Sequence, residues 1–408
     1  MKIYYAIHQY FPDYYTGTEQ YLLNIATMMQ KFGHEIKIFT YLPNFDKEME
    51  KIGAGLYFKK YTYKNHEVVA IHFIKDKNNF LSFNFKNDFL INFFKSELKK
   101  NPPNILHVVH PMRIGSIFLA AKLLKIKTVL TLTDYWLLCP RGILKRSDNS
   151  LCLFPKKGIN CKKFCYQFLP KNQLIERFND SKFMYENSDF IIFSNEFTKK
   201  IFLTNNFFNK NIAIIPHGIN VLGNTKTNKN KKKHFNFASL GTILPHKGVD
   251  LLIQAFKKIP IDKIKLKIYG NPRIDENYFN YLKKLIGKDK RIIFEGEYRS
   301  NDLQNLLSEI DLVVQPSTWF ETYPLVCVNS LNYGVPIIVP KPSGAAILVK
   351  EKINGFTYEI NNVNSLKETL LKAYKKNLKY NSNIKYDHSI EEEAFETEKI
   401  YLKVLNNS

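Results

Sequence analysis

Acidic side chains are in short supply in this sequence: 37 Asp and Glu stand against 60 Lys and Arg in 408 residues, a formal net charge of +23. The deficit excludes an anion-repelling surface and fits a chain drawn to diphosphates or to anionic lipid headgroups. The lysines are spread over the whole length among Asn, Ile and Phe, so they read as a solvated basic surface and exclude nucleic acid as the expected partner. Long hydrophobic runs are missing too. None approaches the ~20 apolar residues of a membrane-spanning helix, and the N-terminus enters a strand-like KIYYAI without the look of a secretory leader. These absences set the expectation of a cytoplasmic protein, working at most against the inner face of a membrane. Cysteine is rare, five residues in all, and so few thiols without an export signal argue against a disulfide framework. The length exceeds what one hydrophobic core usually covers, which predicts two domains.

What is present is an alternation of short apolar runs and helical periodicities. Lys2 to Ile7 reads as a buried strand. Thr16-Gly17-Thr18-Glu19 follows at the head of a helix in which Leu22, Ile25, Ala26, Met29 and Phe32 share a face, with Thr18 as the cap and Gly33 as the stop. Gly17 beside a helix N-terminus lets backbone approach phosphate, although a tight turn explains a lone glycine as well. Phe80 to Lys100 mixes aromatics with lysines and reads as a helix packed on a sheet, a basic amphipathic membrane helix being the other reading. Ile105 to Val109 and Thr128 to Leu132 are strands around the helix Gly115 to Leu124. Polar residues stand at their ends, His107 and His110 on the first, Thr133 and Asp134 on the second. His110 there is either a donor contact or a satisfied structural residue. Helices and strands alternate on to Ile219, and then comes GNTKTNKNKKK, a polar stretch without hydrophobic anchors that reads as an interdomain linker. The expected domains are 1–222 and 223–390, with a final helical segment at 391–408.

The second half restarts the rhythm at Phe235 to Leu240, followed by the loop Gly241 to Gly248 with Thr242 and Lys247 in it. A lysine at a strand end, just before a helix, is placed to meet phosphate. The densest stretch is Asp311 to Pro340, DLVVQPSTWFETYPLVCVNSLNYGVPIIVP. Its apolar Leu312-Val313-Val314 breaks into a polar, aromatic loop, Pro324 suits the first turn of a helix, and Leu325, Val328, Asn329 and Asn332 lie on neighbouring turns until Gly334 and Pro336 stop them. This is half of a doubly wound α/β layer, in which ligands sit beyond the carboxyl ends of the strands and a helix N-terminus receives an anion such as a diphosphate.

The same stretch, together with GTILPHKGVDLL, resembles family 4 glycosyltransferases, retaining enzymes of the GT-B fold, and the likeness runs over nearly the whole chain. It implies a fold of two Rossmann-like doubly wound parallel-sheet domains facing across a cleft, the first on the acceptor side and the second binding a nucleotide sugar, with the C-terminal helix returning to the first. The family motif has two glutamates separated by seven residues; here the first is Glu321 and the second position is Asn329. The resemblance implies Glu321, Lys247 and Asp134 as catalytic candidates. Gly17, His110, Thr242, Tyr323, Leu325, Val326 and Asn329 are implied in donor or nucleotide binding. Thr16, Thr133, Thr242 and Asn329 each stand where the family commonly has another residue. The implied reaction moves a sugar from a nucleotide diphospho-sugar, as co-substrate, to a glycan or lipid-linked acceptor. Backbone N–H groups after Glu321 and the Lys247 ammonium hold the leaving diphosphate, so no catalytic metal is expected. A non-catalytic nucleotide-sugar-binding protein and a sugar-nucleotide epimerase are the alternatives on the same architecture.

Residues 136–168 interrupt the α/β rhythm with Cys139, Cys152, Cys161 and Cys165. Their spacing does not match a paired C-x-x-C ribbon. Four reduced thiols in a short, turn-rich segment still suggest one structural zinc, and the other reading is small buried hydrophobes.

Overall fold

Short apolar runs become buried parallel strands when helices cover both faces, because no solvent side is left to alternate with. The computed structural model describes residues 1–53, 55–76, 80–220, 233–299, 302–378 and 386–406. Contacts divide the chain into two units, Met1–Gly218 with Ile390–Ser408, and Ile219–Ser389. All but the last residue of the GNTKTNKNKKK stretch lies outside the described residues.

In the first unit the order is β1 (Lys2–Ile7), α1 (Gly17–Lys31), β2 (Glu35–Tyr41), β3 (Glu50–Gly53), β4 (Leu56–Tyr63), β5 (His66–Phe73), α2 (Phe80–Phe83), α3 (Asp88–Lys100), β6 (Ile105–Val108), α4 (Ser116–Leu123), β7 (Lys127–Leu132), α5 (Ile159–Phe164), α6 (Lys171–Asn187), β8 (Phe190–Phe193), α7 (Glu196–Thr204) and β9 (Ile212–Ile214). Among the described residues these strands form one sheet, β3-β4-β5-β2-β1-β6-β7-β8-β9. It is parallel except where β4 pairs with β3 and β5. The cap of α1 is Thr16, not Thr18. The Glu19 carboxylate reaches back to accept from the Thr16 N–H at 2.7 Å and its hydroxyl at 2.6 Å, one arm of a capping box. Leu22, Ile25 and Met29 on the inner face are fully buried, each contributing about 1.5–3 kcal/mol relative to exposure. The stretch from Phe80 is broken at Asn87, whose side chain accepts from the Leu90 N–H and starts α3 afresh. Leu90, Phe94 and Leu98 of α3 are buried and the helix packs on α4, so its apolar stripe is spent on the core.

The second unit runs β10 (Phe235–Leu240), α8 (Val249–Lys257), β11 (Ile264–Tyr269), α9 (Glu276–Ile286), β12 (Ile292–Gly296), α10 (Leu303–Ser308), β13 (Leu312–Val314), α11 (Leu325–Asn332), β14 (Ile337–Lys341), β15 (Gly355–Glu359) and α12 (Val363–Lys375). Its sheet has the order β12-β11-β10-β13-β14-β15 and is parallel throughout. The winding reverses between β10 and β13. That is the topological switch point, where the loops beyond two adjacent strands part and leave room for a ligand.

The last helix, α13 (Ile390–Asn406), belongs to the first unit, where Ala394, Ile400, Tyr401 and Val404 join the core built on β1, β6 and β7. Polar bonds hold it there. Glu393 accepts from the Gly218 N–H at 2.7 Å and bonds the His217 ring at 2.9 Å. The Tyr401 hydroxyl meets Nδ1 of His107 at 2.6 Å. Among the described residues no helix is long and apolar enough to cross a membrane.

Candidate active site

The loops that follow β10 and β13 are fastened to each other by backbone. The Thr318 N–H donates to the His246 carbonyl at 2.9 Å, and Gly248, at φ +69°, lets the Pro316 carbonyl approach so closely that a Cβ there would stand 2.1 Å from its oxygen. This contact requires glycine. It brings Lys247 over to Glu321. Four donors converge on one oxygen, Glu321 Oε1: Lys247 Nζ at 2.7 Å, Ser317 Oγ at 2.6 Å, Trp319 Nε1 at 2.9 Å and Gln315 Nε2 at 3.0 Å. Glu321 is 4% exposed. Burial by itself pushes its pKa up, but the Lys247 charge and the bonds from Lys247 and Ser317 outweigh it and hold the carboxyl below its ordinary value. Lys247 also lies 5.4 Å from the Trp319 ring centroid, so the indole shields one side of the ammonium. None of the four donors reaches Oε2. The carboxylate is oriented through one oxygen, and the other is left for a further partner.

Glu321 leads directly into α11. Leu325 and Val326 are its first two residues and are partly accessible, and their N–H groups have no intrahelical acceptor by the geometry of a helix start. Asn329 is on the same helix one turn on, with its Nδ2 donating to the Leu325 carbonyl at 3.0 Å. The amide is thereby turned so that Oδ1 remains as an acceptor. Tyr323 is differently employed, its buried ring in the core and its hydroxyl 2.6 Å from that of Tyr386. Thr242 is part of the β10 loop, where its carbonyl accepts from the Leu244 N–H.

In the first unit the reversal of winding falls between β1 and β6, and a second polar cluster stands beyond their ends. The His8 and His110 rings are 4.1 Å apart between centroids. His110 Nδ1 accepts from the Met112 N–H at 3.3 Å, which puts the ring proton on Nε2, 3.1 Å from Asp134 Oδ2. Asp134 Oδ1 takes the Trp136 N–H at 2.8 Å. Behind them Glu19 is fully buried, with Oε1 3.6 Å from His8 Nε2. Burial, with His110 and Arg113 nearby, holds His8 well below its usual pKa, so it is neutral. Gly17 is the first residue of α1, two positions before Glu19. His107 is not part of this cluster: both ring nitrogens are engaged, by Tyr401 and by Thr131 at 2.7 Å, and burial lowers its pKa to about 3. The sequence did not single out His8, Glu19, Gln315, Ser317 or Trp319 as site residues. Thr16-x-x-Glu19 carries the capping-box signature, which was the available signal for Glu19.

The zinc expected on Cys139, Cys152, Cys161 and Cys165 finds no such arrangement. Among the described residues no group of three or more His, Cys, Asp or Glu is gathered to hold a metal ion, and the four are free thiols. Cys139, Cys152 and Cys161 are buried, and burial raises their pKa values, that of Cys161 to about 12. What holds the segment is Arg177, a buried guanidinium that donates to the carbonyls of Phe83, Leu137 and Trp136 and stacks 4.6 Å from the Trp136 ring centroid.

A parallel sheet in doubly wound order with its polar cluster at the switch point, and a second, mainly parallel sheet in the other unit, define the GT-B class of fold. The whole chain superposes on sucrose-phosphate synthase from Thermosynechococcus elongatus with a TM-score of 0.71 at 14% identity, covering 100% of both chains. It superposes on the Anabaena protein HepE in complex with UDP-glucose with a TM-score of 0.65 at 15% identity, covering 100% of this chain and 99% of that one. In sequence, residues 15–221 match the model of Glycosyltransferase Family 4 and residues 224–394 that of Glycosyl transferases group 1. The chain belongs to Glycosyltransferase Family 4. It is 30% identical over 149 residues to UDP-Gal:alpha-D-GlcNAc-diphosphoundecaprenol alpha-1,3-galactosyltransferase of Escherichia coli, 35% of this chain and 37% of that relative. The match spans about half or less of the length of the first curated relatives it resembles.

Proposed function

We propose that this protein is a retaining glycosyltransferase that moves a sugar from a nucleotide diphospho-sugar to a glycan or lipid-linked acceptor. The observation that carries the reading is the convergence of Lys247, Ser317, Trp319 and Gln315 on a single oxygen of Glu321 immediately before the open N-terminus of α11. The diphosphate would lie on the N–H groups of Leu325 and Val326, where the helix dipole favours negative charge. Lys247 uses one donor on Glu321 and has two more for the departing phosphate. Charge that develops on the leaving group is met by fixed dipoles and an ammonium already in place, which assigns that work to protein groups. Glu321 Oε2 would accept from a hydroxyl of the donor sugar, and Asn329 Oδ1 from a ribose hydroxyl. On the first unit, Asp134, fixed by His110 and the Trp136 N–H, is the candidate catalytic carboxylate of the acceptor side.

The name of the Escherichia coli relative gives UDP-galactose as donor and a diphosphoundecaprenol-linked sugar as acceptor. For this chain the reading takes only the classes, an activated sugar and a lipid-linked or glycan acceptor, with work at the cytoplasmic face of a membrane. Incubation with a panel of UDP- and GDP-sugars, followed by NMR of the released sugar, tests it. Release of free sugar with the donor's anomeric configuration supports it. Interconversion of sugar stereochemistry on the intact nucleotide would make the protein an epimerase, and binding without turnover of any donor would leave a non-catalytic binding protein.

A further inference from the structure

The segment that the zinc does not explain has its own surface. Between residues 149 and 175 there are five lysines and no acidic residue. Large apolar side chains stand out from it into solvent: Leu153 is 46% exposed, Phe154 47%, Ile159 49% and Phe168 78%. Phe154, Lys156, Lys157 and Ile159 line one concavity of about 320 Å³ with Lys182 of α6 and Asn205 and Asn206 beyond α7. Asn205 fastens the segment there through the Leu153 carbonyl at 3.0 Å. Phe208, 57% exposed, follows two residues after Asn206. Lys156 and Lys157 both adopt left-handed backbone, at φ +49° and +53°, before Gly158 at +86°. Lysine has no steric reason to sit there, and two in a row cost about 1–2 kcal/mol each. The turn makes both lysines part of the lining of this concavity.

We propose that this face, Leu153 to Ile159 with Lys182 and Phe208, is a docking surface for an anionic lipid bilayer. The chemistry matches on two counts. Exposed Phe, Leu and Ile gain by entering the boundary between headgroups and acyl chains, and the lysines around them meet lipid phosphates. Glu186, 3.5 Å from Lys182, is the acidic neighbour given by the structure. The surface leaves the sheet through the same connection that carries Asp134, and Arg177 ties it back to Trp136 and Leu137, so the bilayer would be held by the loop that begins at the candidate acceptor side. This deepens the reading of a lipid-linked acceptor, since it names the face through which the protein would meet the membrane.

Co-sedimentation of the full chain with vesicles tests the surface without donor or acceptor. Binding is expected to phosphatidylcholine vesicles containing phosphatidylglycerol, to weaken with added salt, and to be much poorer to phosphatidylcholine alone. The double variant K156E/K157E should lose more than tenfold in vesicle affinity, at about fivefold per lysine, and F154S should lose affinity even at low salt. K283E/K284E, on the exposed side of α9 in the other unit, should bind vesicles nearly as the parent does. Donor hydrolysis by the patch variants should match the parent's. If hydrolysis fails in the parent while vesicle binding follows this pattern, the transferase reading falls and the docking surface stands. Absence of vesicle binding by the parent, or equal losses in K156E/K157E and K283E/K284E, would overturn the proposal. A concentration-dependent dimer in sedimentation equilibrium that F154S abolishes would assign the face to a second copy instead and equally overturn it.

Discussion

Lys247 Nζ lies 2.7 Å from Glu321 Oε1, although 74 residues separate them. The pair joins the loop after β10 to the loop after β13 at the one place in the second sheet where the winding reverses. Because the ammonium and three neutral donors all fall on the same oxygen, the carboxylate is both ionised and fixed in direction. A charged group held this way acts on a ligand without first reorganising.

Glu321→Gln keeps the shape and removes the charge. Its carbonyl oxygen accepts more weakly, and its amide hydrogens would face Lys247 and Trp319, which only donate, and Ser317 and Gln315, which donate to Glu321 in the parent. A charge-assisted bond is worth about 1.5–3 kcal/mol, so kcat/KM for sugar transfer should fall roughly ten- to more than hundredfold. Nucleotide affinity measured by calorimetry should change far less. Equal transfer by variant and parent would remove Glu321 from the site.

The same carboxyl sets a pH dependence. Its folded-state pKa is below the ordinary value, so the stabilisation it supplies is fully present above the unfolded-state pKa of about 4.3. That stabilisation is lost as pH falls through the folded value. Denaturant midpoints of the parent and of Glu321→Gln, measured from about pH 6 to pH 3, should converge toward the acid end. A difference that stays constant over that range would show that ionisation of Glu321 contributes nothing to stability.

Asn329 spends its Nδ2 on Leu325, so it presents one neutral acceptor where a glutamate would present a charged one. The gap between charge-assisted and neutral bonds is about 1 kcal/mol, or roughly fivefold. Asn329→Glu should therefore bind a nucleoside diphosphate several-fold more tightly, and Asn329→Leu more weakly than the parent. Calorimetry with uridine and guanosine diphosphates measures both. Should all three proteins bind alike, the ribose lies elsewhere.

Gly248→Ala tests the joint between the two loops. The new Cβ would meet the Pro316 carbonyl at 2.1 Å in a left-handed conformation, and a loss of about 2 kcal/mol or more is expected. Nucleotide affinity should drop with it, since Lys247 is the preceding residue. A melting temperature and affinity equal to the parent's would mean that the loops are not held together here.

For the cysteines the expectation is chemical inertness. With Cys161 raised to about 12 from 9.0 by burial, its thiolate fraction at pH 8 is lower by roughly three orders of magnitude. A thiol reagent under native conditions should modify Cys161 only after the chain unfolds in denaturant. Modification at the rate of an unstructured cysteine would contradict the burial.

Much of the fold was legible because its parallel strands are short apolar runs and its helices carry one apolar stripe, patterns that survive without knowledge of the partners. The placement of Glu321 and Lys247 at strand ends was legible for the same local reason, whereas Asn329 stood out only through the resemblance to the family motif. β3 to β5 were not legible: β4 sets Lys59 and Lys60 side by side among tyrosines and is only half-buried, so its pairing with β3 and β5 and not its composition makes it a strand. Thr16 and Thr18 are equal as caps until Glu19 folds back on one of them. Four cysteines in one short segment look like ligands until packing buries Cys139, Cys152 and Cys161 as free thiols. His107 resembles His110 by position in the sequence, and only α13, returning some 290 residues later with Tyr401, makes the first structural. The sequence by itself determined which groups stand at the ends of the strands. Which of them meet was decided by the tertiary structure, because the winding order of a sheet sets neighbours that no local pattern encodes.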